Sequence, residues 1–323
     1  MVYKGRPKAS AFRGSDFWSY EEVLPKARYR RFDVGGTKLT MDRRHAGLYL
    51  KMEVNNPTHS FKDRGSIIEV AKAAEYGYKE VVCASTGNMA YSVSYYAKLY
   101  GMKAKIFISD NASKDKIKDI RSVGDAAITK VNGDFNEAQK RAIIYSEREG
   151  AFLAGDYCYR KEGQKTIAYE IMKEMPTASA IIVPVGNATL LSGVFKALDE
   201  MKSFGMIRRK PLVVGVEASG CNPLEEAVKS GKGMGYMKPR TAADAIAVGY
   251  PTFGMQAVEY MRRDKGIVIS VTDKEMRQEQ KELYDSMGII AELAAVAGIA
   301  AYGKLEAKIG KGTAVSVLSG ANV

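Results

Sequence analysis

Short apolar runs of strand character alternate with amphipathic, helix-like segments along almost the whole of this chain. That alternation restricts the fold more than any other feature, because parallel strands need crossovers long enough to hold a helix. The strand-like runs are residues 48–54, 80–84, 105–108, 126–131, 180–185, 212–217, 267–271 and 313–318. The helix-like segments are 67–76, 89–100, 113–123, 135–149, 163–175, 191–201, 274–286 and 292–304, with a shorter one at 16–24 that carries the only tryptophan, Trp18. The expected class is α/β, with open, mostly parallel twisted sheets flanked by helices. Ligands bind such sheets at the carboxyl ends of the strands. Small-residue turns stand at those ends: Ser85-Thr86-Gly87-Asn88, Gly186-Asn187-Ala188-Thr189 and Ser319-Gly320-Ala321-Asn322.

At 323 residues, 46% of them hydrophobic, the chain can bury a large core without staples. Cys83, Cys158 and Cys221 lie far apart with no C-x-x-C spacing, and His45 and His59 are the only histidines, so no metal site is expected. The first residues contain no apolar signal segment, and no apolar run reaches the ~18 residues a membrane span requires. A cytoplasmic protein with no membrane partner is therefore expected. The net charge of +12 fits an anionic small molecule or a solvated basic surface. Basic residues are scattered, densest at 26–31, and no nucleic-acid motif occurs, so no nucleic-acid partner is expected.

Within Asn56-Pro57-Thr58-His59-Ser60-Phe61-Lys62-Asp63-Arg64-Gly65 a lysine sits among turn and capping residues, just before an apolar helical segment. Positive charge is disfavoured at a helix N-terminus, which favours the neutral, nucleophilic amine at Lys62. The plain alternative is a surface lysine in a first turn. At residues 186–190 (Gly186, Asn187, Ala188, Thr189 and Leu190), backbone N–H groups opening a helix form a phosphate cradle, with Thr189 and Ser192 as added hydroxyl donors. The alternative there is a tight connection. Ser85, Thr86 and Asn88 offer donors for a carboxylate or phenolic oxygen, or serve as an ordinary cap. Dinucleotide, Walker and nucleophile-elbow motifs are absent. A nucleophilic lysine with a phosphate cradle but no nucleotide motif points to pyridoxal phosphate, with Ser319 as a neutral partner for its pyridine nitrogen. A hydroxyl partner favours elimination and replacement over transamination.

Over nearly its full length the chain resembles the fold-type II, tryptophan-synthase-β-like pyridoxal phosphate enzymes, and within them the threonine synthase-like members. Residues 17–25 resemble the W-x-Y-x-x-x-L-P opening, and Gly36-Thr37 resembles the G-x-T-P-L turn. Residues 56–65 are similar to N-P-T-G-S-F-K-D-R-G, and residues 85–88 to S-T-G-N-T. Residues 160–166 are similar to R-x-E-G-Q-K-T, and 183–188 to V-P-V-G-N-A. Segments 215–220, 243–249 and the stretch around Glu292 also resemble family segments. The chain departs from the pattern at His59 and Met89, where glycine and threonine are usual. It departs again at Thr189-Leu190 in the cradle, at 154–159 before Arg160, and at an end that reads like the S-G-G-N-V of dehydratases.

The resemblance implies two domains: 1–55 with 158–323 holding the cofactor, and 56–157 as a small mobile domain. It implies that Lys62 is the Schiff-base lysine and removes the substrate's α-proton. Lys62, Asn88, residues 186–190 and Ser319 would hold the cofactor, with Asn88 at its phenolic oxygen. Ser85, Thr86, Arg160 and Lys165 would bind the substrate, the two cations at its anion, while Asp63 and Arg64 form structural ion pairs. The leading activity is threonine synthase, converting O-phosphohomoserine and water to threonine and phosphate. Threonine or serine dehydratase, and β-replacement on O-phosphoserine or O-acetylserine, stay open. So does a non-catalytic pyridoxal phosphate carrier or amino-acid-binding regulator. A homodimer is implied. The 231–235 loop, with its three glycines, reads as a mobile flap or as an ordinary surface loop.

Overall fold

The structure, a computed structural model, describes residues 12, 14, 16–85, 87–109, 114–124, 126–133, 135–310 and 312–321. Two units form: a larger one from Met1–Val23, Gly35–Asn55 and Gln164–Val323, and a smaller one from Leu24–Val34 and Asn56–Gly163. In chain order, β1 (Leu39–Met41) and β2 (Leu48–Met52) belong to the larger unit. The smaller unit then supplies α1 (Lys62–Glu75), β3 (Glu80–Ala84), α2 (Asn88–Leu99), β4 (Lys103–Ser109), α3 (Lys114–Ser122), β5 (Ala126–Val131), α4 (Phe135–Glu149) and β6 (Phe152–Leu153). The unit boundary falls inside α5 (Cys158–Gln164). The larger unit resumes with α6 (Thr166–Glu174), β7 (Ala180–Pro184), α7 (Thr189–Ser203), β8 (Leu212–Ala218), α8 (Pro223–Ser230), α9 (Gly254–Arg263), β9 (Ile267–Val271), α10 (Asp273–Met287), α11 (Ala297–Ile309) and β10 (Ala314–Leu318).

The larger unit's sheet is six-stranded in the order β1-β2-β10-β7-β8-β9, parallel except for the β1–β2 pair. Strands β7 and β10 are buried at every position, as expected where helices cover both faces. Their sequences, AIIVP and AVSVL, are continuous apolar runs broken only by the small Ser316. The one cation among the central strands is Lys51 of β2, fully buried and paired with Glu170 at 2.7 Å. Strands β7, β8 and β9 step outward, and β10 then returns between β2 and β7. That reversal makes the carboxyl ends of β7 and β10 the topological switch point of this sheet. Gly186 and Ser319 follow those two ends.

The smaller unit's sheet is four-stranded and parallel, in the order β5-β4-β3-β6. Here β3, β4 and β5 step one way and β6 returns to the far side of β3. The switch point lies at the carboxyl end of β3, where Ser85 begins the turn into α2.

Several expected elements differ in detail. The strand expected over 48–54 stops at Met52 and a 3-10 turn, Glu53–Asn55, follows. The segment expected as a helix over 16–24 is a 3-10 helix, Phe17–Val23. The helix expected at 163–175 is two helices, α5 and α6, and it begins five residues earlier than expected. Helices α8 and α9 and the short strands β1 and β6 were not expected from the pattern. Helix α8 carries Pro223 in its first turn, a position proline tolerates because that N–H has no helical acceptor. The 231–235 loop leaves α8 through Gly231 at φ 72°. Its glycines have open space around them, Met234 is its one half-buried residue, and the chain beyond it is hydrogen-bonded. Met234 fills the space beside Gly254, Met237 N–H donates to Gly249 O at 2.9 Å, and Arg240 N–H donates to Gly220 O at 2.9 Å.

Candidate active site

In the smaller unit, Lys62 is the first residue of the 14-residue helix α1, where positive charge opposes the helix dipole. The turn before it is clamped from several sides. His59 N–H donates to Asn56 O at 2.8 Å. Lys62 N–H donates to Ser60 Oγ at 3.0 Å, so Ser60 satisfies a donor of the first helical turn. Asp63 is fully buried and accepts from Thr58 N–H at 2.7 Å, from the Thr58 hydroxyl, and from Ser92 Oγ at 2.6 Å. An acid at this position complements the dipole. Through Ser92 it also ties the start of α1 to α2, one turn past Asn88. Lys62 Nζ lies 4.6 Å from the centroid of the Phe61 ring. Ser85 Oγ accepts from Gly87 N–H at 3.3 Å, and Gly87 and Asn88 open α2. Thr86, the remaining residue of that turn, lies outside the described residues, as does Asn322.

Arg160 was expected at the substrate's anion, and the structure gives it another task. Its guanidinium is fully buried and paired with Glu69; Nε donates to Gly155 O at 2.9 Å and Nη1 to Ser66 Oγ at 3.3 Å. Nη1 also reaches the Lys62 carbonyl at 3.5 Å. A guanidinium spent on these partners positions the Lys62 turn from the protein side. The close approach of α5 to α1 depends on two glycines. A Cβ at Gly65 would meet Arg160 Cγ at 2.6 Å, and one at Gly163 would overlap the Arg64 carbonyl. The 56–65 motif and the start of the 160–166 motif, Arg160 to Gly163, are therefore packed onto each other within the smaller unit. Asp63 and Arg64 are both fully buried beside this contact.

In the larger unit, β7 ends at Pro184 and the 186–190 turn leads into α7. Ala188 is the N-cap, left-handed at φ 57°, and no side chain caps the helix. Backbone N–H groups of the first turn have no acceptor within the helix, the arrangement that binds phosphate. A Cβ at Gly186 would meet Ala245 O at 2.8 Å, so segment 243–249 holds the turn closely from behind. Asn187 fixes the turn's other side. Its Oδ1 accepts from Thr252 N–H and Oγ1–H, both at 3.2 Å, and its carbonyl accepts from Phe253 N–H at 3.0 Å. No sequence signal marked Thr252, because its role arises from tertiary packing alone. Ser192, expected as a second hydroxyl donor, is completely buried in the first turn of α7 with no hydrogen-bond partner among the described residues. Lys165, the other expected anion contact, is fully buried and paired with Glu200 of α7 at 2.9 Å. Ser319 follows β10, is 6% exposed, and is engaged by no described side chain.

Glu217 closes the same edge of the sheet. Its carboxylate accepts from Leu224 N–H at 3.1 Å and Glu225 N–H at 2.8 Å, capping α8. Burial pushes its carboxyl up to about 8, and the two N–H donors pull the other way without prevailing. The folded state therefore holds this proton more tightly than the unfolded chain, and stability falls as pH rises from about 4.5 to about 8. Glu217→Gln is expected to flatten that slope, by a few kcal/mol across the window at most. Urea unfolding of both proteins across this range measures it; parallel pH profiles would refute the assignment.

Each unit supplies features that suit a phosphorylated aldehyde cofactor: the smaller a lysine in a first helical turn, the larger a helix start with no side-chain cap and the buried Ser319 beyond β10. A family profile described as pyridoxal-phosphate dependent enzyme matches residues 31–320. The chain belongs to that family. Pyridoxal phosphate is its cofactor. Threonine synthase from Methanosarcina acetivorans is 34% identical over 301 residues, covering 89% of this chain and 74% of that protein. Threonine synthase from Bacillus sp. (strain ULM1) is 36% identical over 280 residues, covering 84% of this chain and 77% of that protein. Among solved structures, the processed form of threonine deaminase isoform 2 from Solanum lycopersicum superposes with a TM-score of 0.76 at 25% identity, covering 89% of this chain and 84% of that one. Maize serine racemase gives 0.75 at 25% identity, covering 85% and 83%. The fold is that of the fold-type II pyridoxal phosphate enzymes. No helix among the described residues is long and apolar enough to cross a membrane.

Proposed function

We propose that this chain is a pyridoxal phosphate-dependent lyase of the threonine synthase type, converting O-phosphohomoserine and water to threonine and phosphate. The observation that carries the substrate is the similarity to threonine synthases, 34% and 36% identical over most of the chain. Bound pyridoxal phosphate supplies a sink for the electrons released at the substrate's α-carbon. Lys62 Nζ is assigned to hold the cofactor and to move the α-proton. The backbone donors of 186–190 would hold its phosphate, Ser319 would serve its pyridine nitrogen and Asn88 its phenolic oxygen. Ser85 and Thr86 orient the substrate carboxylate. Arg160 and Lys165 are positioning residues, each bound to a carboxylate within its own unit.

The dehydratase reading keeps one specific support, the end of the chain around Ser319 that resembles dehydratases. Incubation with O-phosphohomoserine, threonine, serine, O-phosphoserine and O-acetylserine separates the two. Phosphate release with threonine formation supports the proposal. Ammonia with a 2-oxo acid from threonine or serine, and none of the former, replaces it with the dehydratase. The further parts of the reading are a homodimer in the cytoplasm with no nucleic-acid partner. They rest on the family resemblance and on composition, and light scattering of the purified protein measures the oligomer directly.

A further inference from the structure

His59 stands three residues before Lys62 in a left-handed backbone conformation, φ 56°. Glycine adopts that conformation freely; side chains with a Cβ do so uncommonly. The turn does not need the imidazole. Its hydrogen bonds run through the His59 N–H, through Thr58 and Asp63, and through Ser60. The His59 side chain is half-buried, yet no described residue gives it a hydrogen bond, an ion pair or a ring contact. Its neighbours on either side, Thr58 and Ser60, are buried and engaged. Residues held in sparsely populated conformations cluster at active sites, ligand clamps and switch regions. Meanwhile the two cations expected at the substrate's anion, Arg160 and Lys165, are committed to Glu69 and Glu200.

We infer that His59 is a specificity-determining residue whose imidazole donates a hydrogen bond to the phosphate ester of the bound amino acid. This deepens the threonine synthase reading and rests on it. A site built to donate to a charged oxygen discriminates against substrates that lack it.

The test compares wild type with His59→Gly, which accepts the backbone conformation and removes the imidazole. It also includes His59→Asn, which tolerates φ > 0 and still donates. For His59→Gly, KM for O-phosphohomoserine is expected to rise at least about tenfold, with kcat within a few-fold and the KM for threonine or serine unchanged. Calorimetric affinity for inorganic phosphate falls by a similar factor, and His59→Asn recovers part of both. The thermal midpoint of His59→Gly equals or exceeds that of wild type, which sets misfolding aside. Unchanged phosphate affinity in His59→Gly overturns the inference, as does an equal loss on phosphorylated and unphosphorylated substrates. Absence of phosphate release by the wild type defeats the threonine synthase reading instead, and the phosphate titration of the two proteins still decides the role of His59.

Discussion

Lys62→Ala is expected to purify folded, without covalently attached cofactor, and with turnover lower by at least about 10³-fold. The fold should tolerate this change. Lys62 begins α1, where removing a positive charge is neutral or slightly favourable, and the clamp on its turn runs through Asp63, Ser60 and Thr58. The substitution therefore separates chemistry from stability. Circular dichroism and the thermal midpoint should match wild type. The visible absorption of the lysine–cofactor link should disappear, and reduction with borohydride should no longer label the protein. With the proposed noncovalent hold of the 186–190 turn alone, cofactor is expected to bind only at high concentration and to be lost on dialysis. Retention of the visible band in Lys62→Ala would move the attachment to another lysine and remove the basis of the assignment.

Glu69→Ala should have the largest effect on stability, a loss of roughly 3–5 kcal/mol, because it leaves the fully buried Arg160 without its carboxylate. Measurement above pH 7 is needed, since burial pushes the Glu69 carboxyl up to about 7 against the pull of Arg160. Activity should fall as well, because Arg160 contacts the Lys62 carbonyl and the Lys62 turn would lose that support. Replacing both partners, as Glu69→Leu with Arg160→Met, is expected to recover much of the stability but not the activity. Urea unfolding of the single and double variants gives the coupling. Additive losses would mean that the pair is not the contact that matters.

Much of this was legible in the sequence, and the reasons differ by element. The buried parallel strands announced themselves because β7 is apolar throughout and β10 is interrupted only by the small Ser316. Lys62 was legible because turn residues precede it and a helical pattern follows. Helices α8 and α9 were not, since their start depends on Pro223 and on Gly254 packed against Met234. Arg160 and Lys165 were assigned to an anionic ligand because sequence shows a cation and not its partner. Glu69 and Glu200 lie 91 and 35 residues away along the chain. Thr252 carries no motif, and only the folded chain brings it to Asn187. The glycine at 163 looked like part of a motif, and the structure supplies its reason: no Cβ fits over the Arg64 carbonyl.

Strand β10 lies between β2 and β7, although it is synthesised after every other strand of its sheet. During translation the halves flanking it emerge with their inner edges unpaired, and the larger unit's sheet closes only when β10 arrives. The smaller unit's sheet has no such gap, since β3 to β6 are made consecutively. A nascent chain therefore shelters its lysine-bearing half early and completes the other half last, with Ser319 delivered one residue behind the strand that seals it.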